Sequence, residues 1–171
     1  MPVTPLHLGI PGLVSFRWPE KVDIFAAALG SVLVDLDFFA FLLFGTKIHG
    51  FLHSFVGATV LALVIVGVGH AFPWVVVKLK RWFGWGEERT SLKAMVLGAF
   101  LGSYSHVLLD SLIYWDMKPF YPFEDNPFLV EESVETVRNL VYSITTFTTA
   151  LFLVLYAWNY WQLTVEQEKK D

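Results

Sequence analysis

The sequence predicts an all-α membrane protein, a polytopic helix bundle of about four transmembrane helices with a short N-terminal re-entrant or interfacial helix. Hydrophobic residues make up 55% of the chain and charged residues only 16%, whereas soluble domains average about 25% charged residues. Four apolar stretches are long enough to cross a bilayer, which takes about 20 residues. The length of 171 residues suits one domain, and we expect residues 1–171 to form a single integral membrane domain.

The chain begins with an apolar segment, residues 1–16, that is too short to span a bilayer. Prolines and glycines within it would break or bend a long helix. We expect a short helix buried in protein, because irregular backbone is not tolerated in contact with lipid. An interfacial anchor is the alternative. His7 lies in this segment and reaches a site inside the bundle only if the segment dips inward.

Four predicted spans follow, and the loops between them indicate the topology. The spans cover residues 22–44, 51–77, 91–114 and 134–161. Nine of the twelve basic residues lie on the side of the two termini and the 78–93 loop, and three lie on the other side. The positive-inside rule therefore places both termini of this multi-pass plasma-membrane protein in the cytoplasm.

Two further features predict how the spans pack and close. Gly98 and Gly102 give the third span a face of small residues, which permits a close helix approach. The longest loop, residues 115–133, contains three prolines and several aromatic residues. This composition indicates an ordered lid at the membrane interface.

Ionisable residues interrupt or border three of the predicted spans. His106 and Asp110 are spaced i,i+4 in span three, so both side chains lie on one helical face. Asp35 and Asp37 lie in span one, and His53 opens span two. Ionisable groups in a transmembrane segment are costly, usually face the bundle interior and tend to be functional. These positions are therefore the first candidates for a functional site.

The alternation of the spans predicts that these five residues lie at one depth. With span one rising from the cytoplasm and span two descending, all five fall in the extracytoplasmic half of the bundle. Imidazole and carboxylate groups are good ligands for Zn²⁺, Mn²⁺ or Fe²⁺, and the chain has no cysteine to supply a thiolate. The pattern predicts a divalent metal site. For His106 and Asp110 alone, a hydrogen bond that pins two helices is the alternative. His70 lies near the opposite face and is left out of the site.

The two aspartates of span one are expected to have unequal roles. Asp35 and Asp37 are spaced i,i+2, about 200° apart around a regular helix. Both can face one point only if the helix is distorted there. One of them would bind a metal ion while the other orients a ligand or binds a second ion. A purely structural role is disfavoured, because an unpaired carboxylate among Leu and Phe side chains is costly.

Four stretches resemble the motifs of a known family. They are TPLHLG (4–9), VDLD (34–37), HGFLHS (49–54) and SHVLLDSLIYWDMKPFYPF (105–123). In this order they resemble the pattern of the membrane-bound metal-dependent hydrolase family, the YdjM-like or DUF457 proteins. Val34 in place of the usual proline and Phe38 in place of a frequent histidine indicate a divergent branch. The resemblance implies that the metal ligands are His7, Asp35, Asp37, His53, His106 and Asp110.

The expected function is a membrane-embedded hydrolase. One or two divalent ions, zinc first with manganese and iron as alternatives, would activate water for attack on an ester or phosphodiester of a lipid-like substrate. Asp37 or Asp116 would take the proton, and Lys118 or His49 would neutralise a phosphate. A non-enzymatic membrane protein with a structural metal, or a small ion transporter, is the alternative. Membrane lipid is the expected partner, whereas a charge of −4 without a basic patch argues against nucleic acid.

Overall fold

The computed structural model describes residues 4–85 and 90–168, and within these ranges it contains helices and no strands. The α-helices are α1 (Gly9–Arg17), α2 (Ile24–Leu33), α3 (Leu36–Phe44), α4 (Phe55–Ala71), α5 (Pro73–Trp82), α6 (Leu92–Ser111) and α7 (Val134–Glu168). Three helical segments are long and apolar enough to cross a membrane, and α4 with α5 makes a fourth if this bent pair counts as one span. The predicted helical membrane bundle is thereby confirmed.

The second predicted span differs from the structure. Residues 51–77 do not form one helix, because α4 ends at Ala71 and α5 leaves it at an angle of 97°. Pro73 is the local cause of this bend. It occupies the first turn of α5, where its missing N–H breaks no intrahelical bond, and it disfavours a helical conformation at Phe72 before it. Residues 78–82, predicted to lie in a loop, belong to α5 instead.

α6 is the central helix, and α2 packs along it in a parallel direction. A Cβ atom at Gly98 would lie 2.4 Å from the Asp23 carbonyl oxygen, and one at Gly102 would lie 2.1 Å from that of Ala27. Only a glycine at each position allows this approach, so the predicted close helix contact is confirmed. The same register continues one turn further to His106, which lies against Ser31 of α2.

The N-terminal segment is buried against the bundle. A short 3₁₀ helix, Thr4–Leu8, leads into α1, and the Leu6 carbonyl accepts a hydrogen bond of 2.9 Å from Thr149 Oγ1 of α7. A Cβ atom at Gly12 would lie 3.0 Å from the Phe152 ring. These contacts carry His7, whose exposed fraction is 2%, into the interior, as expected for a segment that is buried in protein.

The first span is broken near its middle. α2 ends at Leu33 and α3 begins at Leu36, so Asp35 lies in the turn between them. The angular separation of about 200° that a regular helix imposes on Asp35 and Asp37 therefore does not apply. Beyond the turn, α3 presents exposed apolar side chains such as Leu43 and Phe44, which suits a lipid-facing helix.

A buried ion pair joins α5 to the start of α2, at the end of the bundle opposite the turn at Asp35. Lys80 Nζ donates hydrogen bonds to Asp23 Oδ2 at 3.0 Å and to Thr90 Oγ1 at 2.8 Å. Asp23 also caps α2, since its Oδ1 accepts a bond of 2.7 Å from the Ala26 N–H. Lys80 is one of the nine basic residues on the side predicted to be cytoplasmic. Three others of the nine, Arg89, Lys169 and Lys170, lie outside the described residues.

The segment after α6 folds back over the ends of the helices. Asn126 Nδ2 donates a hydrogen bond of 2.8 Å to the Ser111 carbonyl at the end of α6. The Phe55 N–H at the start of α4 donates one of 2.9 Å to the Pro119 carbonyl. Met117 is 1% exposed. This loop is thus anchored at both helix ends and brings Asp116 close to the candidate site.

Candidate metal centre

A buried cluster of four histidines and two aspartates lies where the N-terminal segment, the turn between α2 and α3, the residues before α4, and α6 meet. Each residue of this cluster is at most 8% exposed. Its members are His7, Asp35, His49, His53, His106 and Asp110. Four separate chain segments contribute to it, so the cluster exists only in the folded bundle.

Three overlapping groups of these residues each bring their ligand atoms within 4.8 Å of one another. The groups are His7, His106 and Asp110; Asp35, His53 and His106; and His49, His53 and Asp110. Each of His53, His106 and Asp110 belongs to two groups, so these three side chains form the centre of the cluster.

The distances between the nitrogen and oxygen atoms of these side chains are short, but most are longer than the usual length of a hydrogen bond. His106 Nε2 lies 3.3 Å from Asp110 Oδ2 and 3.5 Å from Asp35 Oδ1. His53 Nε2 lies 3.6 Å from Asp35 Oδ1 and 3.8 Å from Asp110 Oδ2. His7 Nε2 lies 3.3 Å from Asp110 Oδ1. These side chains therefore surround a shared space and do not form separate pairs.

Four buried polar atoms of the cluster have no hydrogen-bond partner. They are His7 Nδ1, His53 Nε2, His106 Nε2 and Asp110 Oδ1. Buried polar groups in folded proteins are nearly always paired, because leaving one unpaired is costly. A divalent cation would accept the lone pairs of nitrogen and oxygen ligands such as these, and the donor set suits Zn²⁺, Mn²⁺ or Fe²⁺. The residues therefore fit a metal ion.

The outward-facing nitrogens of the two central histidines are already bonded. His106 Nδ1 lies 2.6 Å from the Ser31 carbonyl oxygen, to which it can donate only if protonated on Nδ1. His53 Nδ1 lies 3.0 Å from Asp37 Oδ2, which also accepts the His53 backbone N–H at 3.1 Å. In both rings this leaves Nε2 facing the cluster. Metal-binding histidines typically have such partners, which fix ring orientation and tautomer.

His49 has the same kind of partner in the loop that follows α6. Its Nδ1 lies 2.8 Å from Asp116 Oδ2, and its ring packs on Tyr114 with the centroids 4.5 Å apart. The Asp116 side chain is 38% exposed, in contrast to 5% for the side chain of His49. The pair therefore links the buried cluster to the outer surface of the loop.

Local sequence explains why the two aspartates of span one can approach His53 from opposite sides. The turn at Asp35 changes the direction of the chain, so Asp35 reaches Nε2 and Asp37 reaches Nδ1 of the same ring. Gly50 permits the approach of the preceding loop, because a Cβ atom there would lie 2.9 Å from Asp37 Cγ. Ser54 then starts α4 by accepting the Gly57 N–H at 3.0 Å.

The carboxylates also control the charge of His53, which lies before α4 and outside the membrane-spanning helices. Burial alone would lower the pKa of His53, but the nearby carboxylates of Asp35, Asp37 and Asp110 raise the pKa to about 9. The ring thus attracts a positive charge, which a proton or a metal ion can supply. Metal binding here must displace that proton.

The structure brings together most of the residues singled out in the sequence. His7, Asp35, His53, His106 and Asp110 share the cluster, whereas Asp37 contacts the far nitrogen of a cluster histidine. His49, assigned from the sequence to phosphate neutralisation, lies in the cluster itself. Its i,i+4 spacing from His53 was the available signal, and the intervening glycine obscured it.

The remaining candidates lie elsewhere. Lys118 forms an ion pair with Glu124, a fully exposed residue whose pKa is lowered by hydrogen bonding to this lysine. Asp116 contacts only the outer nitrogen of His49 among the histidines described. His70 is exposed at the opposite end of α4. The backbone carbonyl that orients His106 left no signal in the sequence, because any residue type supplies that group.

Comparison with known proteins yields one family. A family model described as YdjM inner membrane protein matches residues 7–168 of the chain. No curated protein and no solved structure matches it. The matched range includes every residue of the cluster together with Asp37 and Asp116, so the candidate site lies wholly inside the family region.

Proposed function

The chain belongs to the YdjM inner membrane protein family, and we propose that it is a membrane-embedded metal-dependent hydrolase. The substrate would be an ester or phosphodiester of a lipid-like molecule. The observation that carries this proposal is the convergence of unpaired buried nitrogen and oxygen atoms in the cluster. Polar groups in a membrane bundle are too costly to leave unpaired without a function.

One or two divalent ions, zinc first, would be held by the overlapping groups of the cluster. The group of His7, His106 and Asp110 is the first candidate, and the group of Asp35, His53 and His106 is the second. A bound divalent ion supplies positive charge that polarises a carbonyl or phosphoryl oxygen and activates water for attack. The chain supplies the remaining parts of the reaction.

We assign proton transfer to the pair of His49 and Asp116. With Nδ1 of His49 bonded to Asp116, the other ring nitrogen can accept a proton at the cluster. Asp116 then stabilises the positively charged imidazole and keeps it in one orientation. Asp37 plays the matching positioning role for His53. Lys118 can neutralise a phosphate only if it leaves Glu124.

Access to the cluster is expected from the loop after α6. Asp35 and Asp37 have side chains that are 11% and 13% exposed, whereas that of Asp116 is 38% exposed. Exposed aromatic side chains of this loop, such as Phe120 and Tyr121, are typical of the interfacial region. A site that opens there meets lipid headgroups, which supports a lipid-like substrate.

We further propose that both termini lie in the cytoplasm and that the cluster faces the extracytoplasmic side. Cysteine introduced at Lys47 or Glu124 should react with a membrane-impermeant maleimide in intact cells, since the native chain has no cysteine. Lys78→Cys, on α5 at the end of the bundle that is predicted to be cytoplasmic, should react only after permeabilisation. If the cysteines at the Lys47 and Glu124 positions were labelled only from the cytoplasmic side, the proposed orientation would be wrong.

A structural metal site is the second candidate function, and the burial of the cluster favours it. His106 is 0% and His53 is 1% exposed, and structural sites are closed whereas catalytic sites keep a position for water or substrate. The test uses metal-loaded protein in lipid with a panel of lipid esters and phosphodiesters. We expect turnover that a chelator abolishes and added metal restores. A metal-loaded protein that is inert across the panel would support the structural role.

A further inference from the structure

A pair of tyrosine hydroxyl groups lies beside the metal cluster. Tyr114 follows the end of α6, and Tyr142 belongs to α7. Both side chains are half-buried, and their hydroxyl oxygens are 3.4 Å apart. The Tyr114 ring packs on the ring of His49, with the centroids 4.5 Å apart. The pair therefore lies at the rim of the cluster, between the loop after α6 and α7, and no step of the proposed reaction uses it.

The electrostatic surroundings of Tyr114 place its hydroxyl near two carboxylates. Tyr114 lies outside the membrane-spanning helix α6, which ends at Ser111. Burial raises the pKa of Tyr114, and the hydrogen bond with Tyr142 and the charges of Asp110 and Asp116 raise it further. Asp110 belongs to the cluster, and Asp116 bonds His49 from the loop. The hydroxyl is thus within electrostatic reach of both the interior of the site and its outer edge.

The two hydroxyls together leave one O–H group available to a ligand. A phenol keeps its proton at neutral pH and has one O–H to donate, and the contact between the two tyrosines uses only one of the two hydrogens. In the part of the chain that the structure describes, neither hydroxyl has another hydrogen-bond partner. When Tyr142 donates to the Tyr114 oxygen, the Tyr114 O–H is left to donate to an incoming acceptor.

We propose that the Tyr114 hydroxyl donates a hydrogen bond to a phosphoryl oxygen of the substrate and makes the site selective for phosphodiesters over carboxylic esters. This inference rests on the proposed function and narrows its substrate class. A phosphodiester has two oxygens outside its ester bonds, so one can face the cluster while the other accepts from Tyr114. A carboxylic ester has a single carbonyl oxygen, which the cluster would hold alone. Hydrogen bonds to a charged oxygen are also stronger than those to a neutral one.

Tyr114→Phe tests this selectivity, because it removes the hydroxyl and keeps the ring on His49. Metal-loaded protein is assayed with a lipid phosphodiester and a carboxylic ester of the same chain length. We expect kcat/KM for the phosphodiester to fall about 10–100-fold and that for the ester to stay close to its original value, with metal content unchanged. Equal losses on both substrates, no loss on either, or an unmodified chain that cleaves only esters would overturn the proposal.

Tyr142 is a positioning residue in this arrangement, since it acts through Tyr114. Tyr142→Phe should therefore lower kcat/KM for the phosphodiester less than Tyr114→Phe does, and again spare the ester. Tyr104→Phe is the matched control, because Tyr104 also lies on α6 and its hydroxyl is 2.7 Å from Thr59 Oγ1. Its ring packs on Phe55, away from the cluster, so the control should keep full activity on both substrates.

Binding of a non-cleavable analogue separates this inference from hydrolysis itself. A short-chain lipid phosphinate keeps both free oxygens of a phosphodiester but has no ester bond, and its affinity for metal-loaded protein is measured by isothermal titration calorimetry. Tyr114→Phe should weaken this affinity about 10–100-fold, whereas Tyr104→Phe should not. A protein that is inert but binds the phosphinate through Tyr114 would contradict only the proposed hydrolysis. No binding by the unmodified chain, or equal binding by Tyr114→Phe, would overturn the role of Tyr114 and leave hydrolysis standing.

Discussion

Removing a central ligand is expected to abolish most metal binding. Asp110→Asn and His106→Ala each take away a residue that belongs to two of the three ligand groups, so each variant keeps only one complete group. The effect should exceed the roughly 10–100-fold loss of metal affinity that follows removal of a residue that merely orients a ligand. Elemental analysis of purified variants after equilibration with a defined Zn²⁺ concentration measures the result.

His70→Ala is the matched control for this experiment. His70 is exposed at the far end of α4 and should leave metal content unchanged. Asp110→Asn preserves the size of the side chain, so a loss of metal in this variant cannot be attributed to a cavity. Equal losses in His70→Ala and Asp110→Asn would place the metal outside the cluster.

The second large effect separates the two aspartates of the broken span. Asp35 Oδ1 lies 3.6 Å from His53 Nε2 and 3.5 Å from His106 Nε2, so Asp35→Asn should lose metal. Asp37 bonds the opposite nitrogen of His53, so Asp37→Asn should retain much of the metal. Turnover of Asp37→Asn should nevertheless fall by about 10–100-fold, because His53 loses the partner that fixes its ring.

This comparison also distinguishes catalysis from a structural role. Metal content, thermal unfolding and hydrolysis should be measured on the same preparations of both variants. If the site is catalytic, Asp37→Asn will lose activity while it keeps much of its metal. If the metal is structural, both substitutions will lower the melting temperature in proportion to the metal lost, and there will be no turnover to lose.

Much of the fold and of the candidate site follows from simple sequence patterns. The i,i+4 spacing of His106 and Asp110 places both on one face of α6 because that helix is regular through this region. The close approach of α2 and α6 follows from Gly98 and Gly102. These features depend on helical periodicity and side-chain size, which a sequence displays directly.

Other features depend on tertiary contacts that no local pattern records. The turn at Asp35 occurs within a continuous apolar run, and the contacts that both aspartates make with His53 compensate for the broken helix. His49 joins the cluster through Asp116, which lies 67 residues away in the sequence. The apolar run across Pro73 predicts one long span, whereas the proline itself disfavours a helical conformation at the residue before it.

The most direct test of the metal centre is X-ray absorption spectroscopy of the unmodified protein, combined with elemental analysis. The arrangement of the cluster predicts one to two equivalents of a divalent metal per chain, surrounded by nitrogen and oxygen ligands with a clear imidazole contribution. Asp110→Asn should lose this signature. Protein prepared in metal-replete medium that contains no metal, or that contains metal without imidazole ligands, would contradict the account.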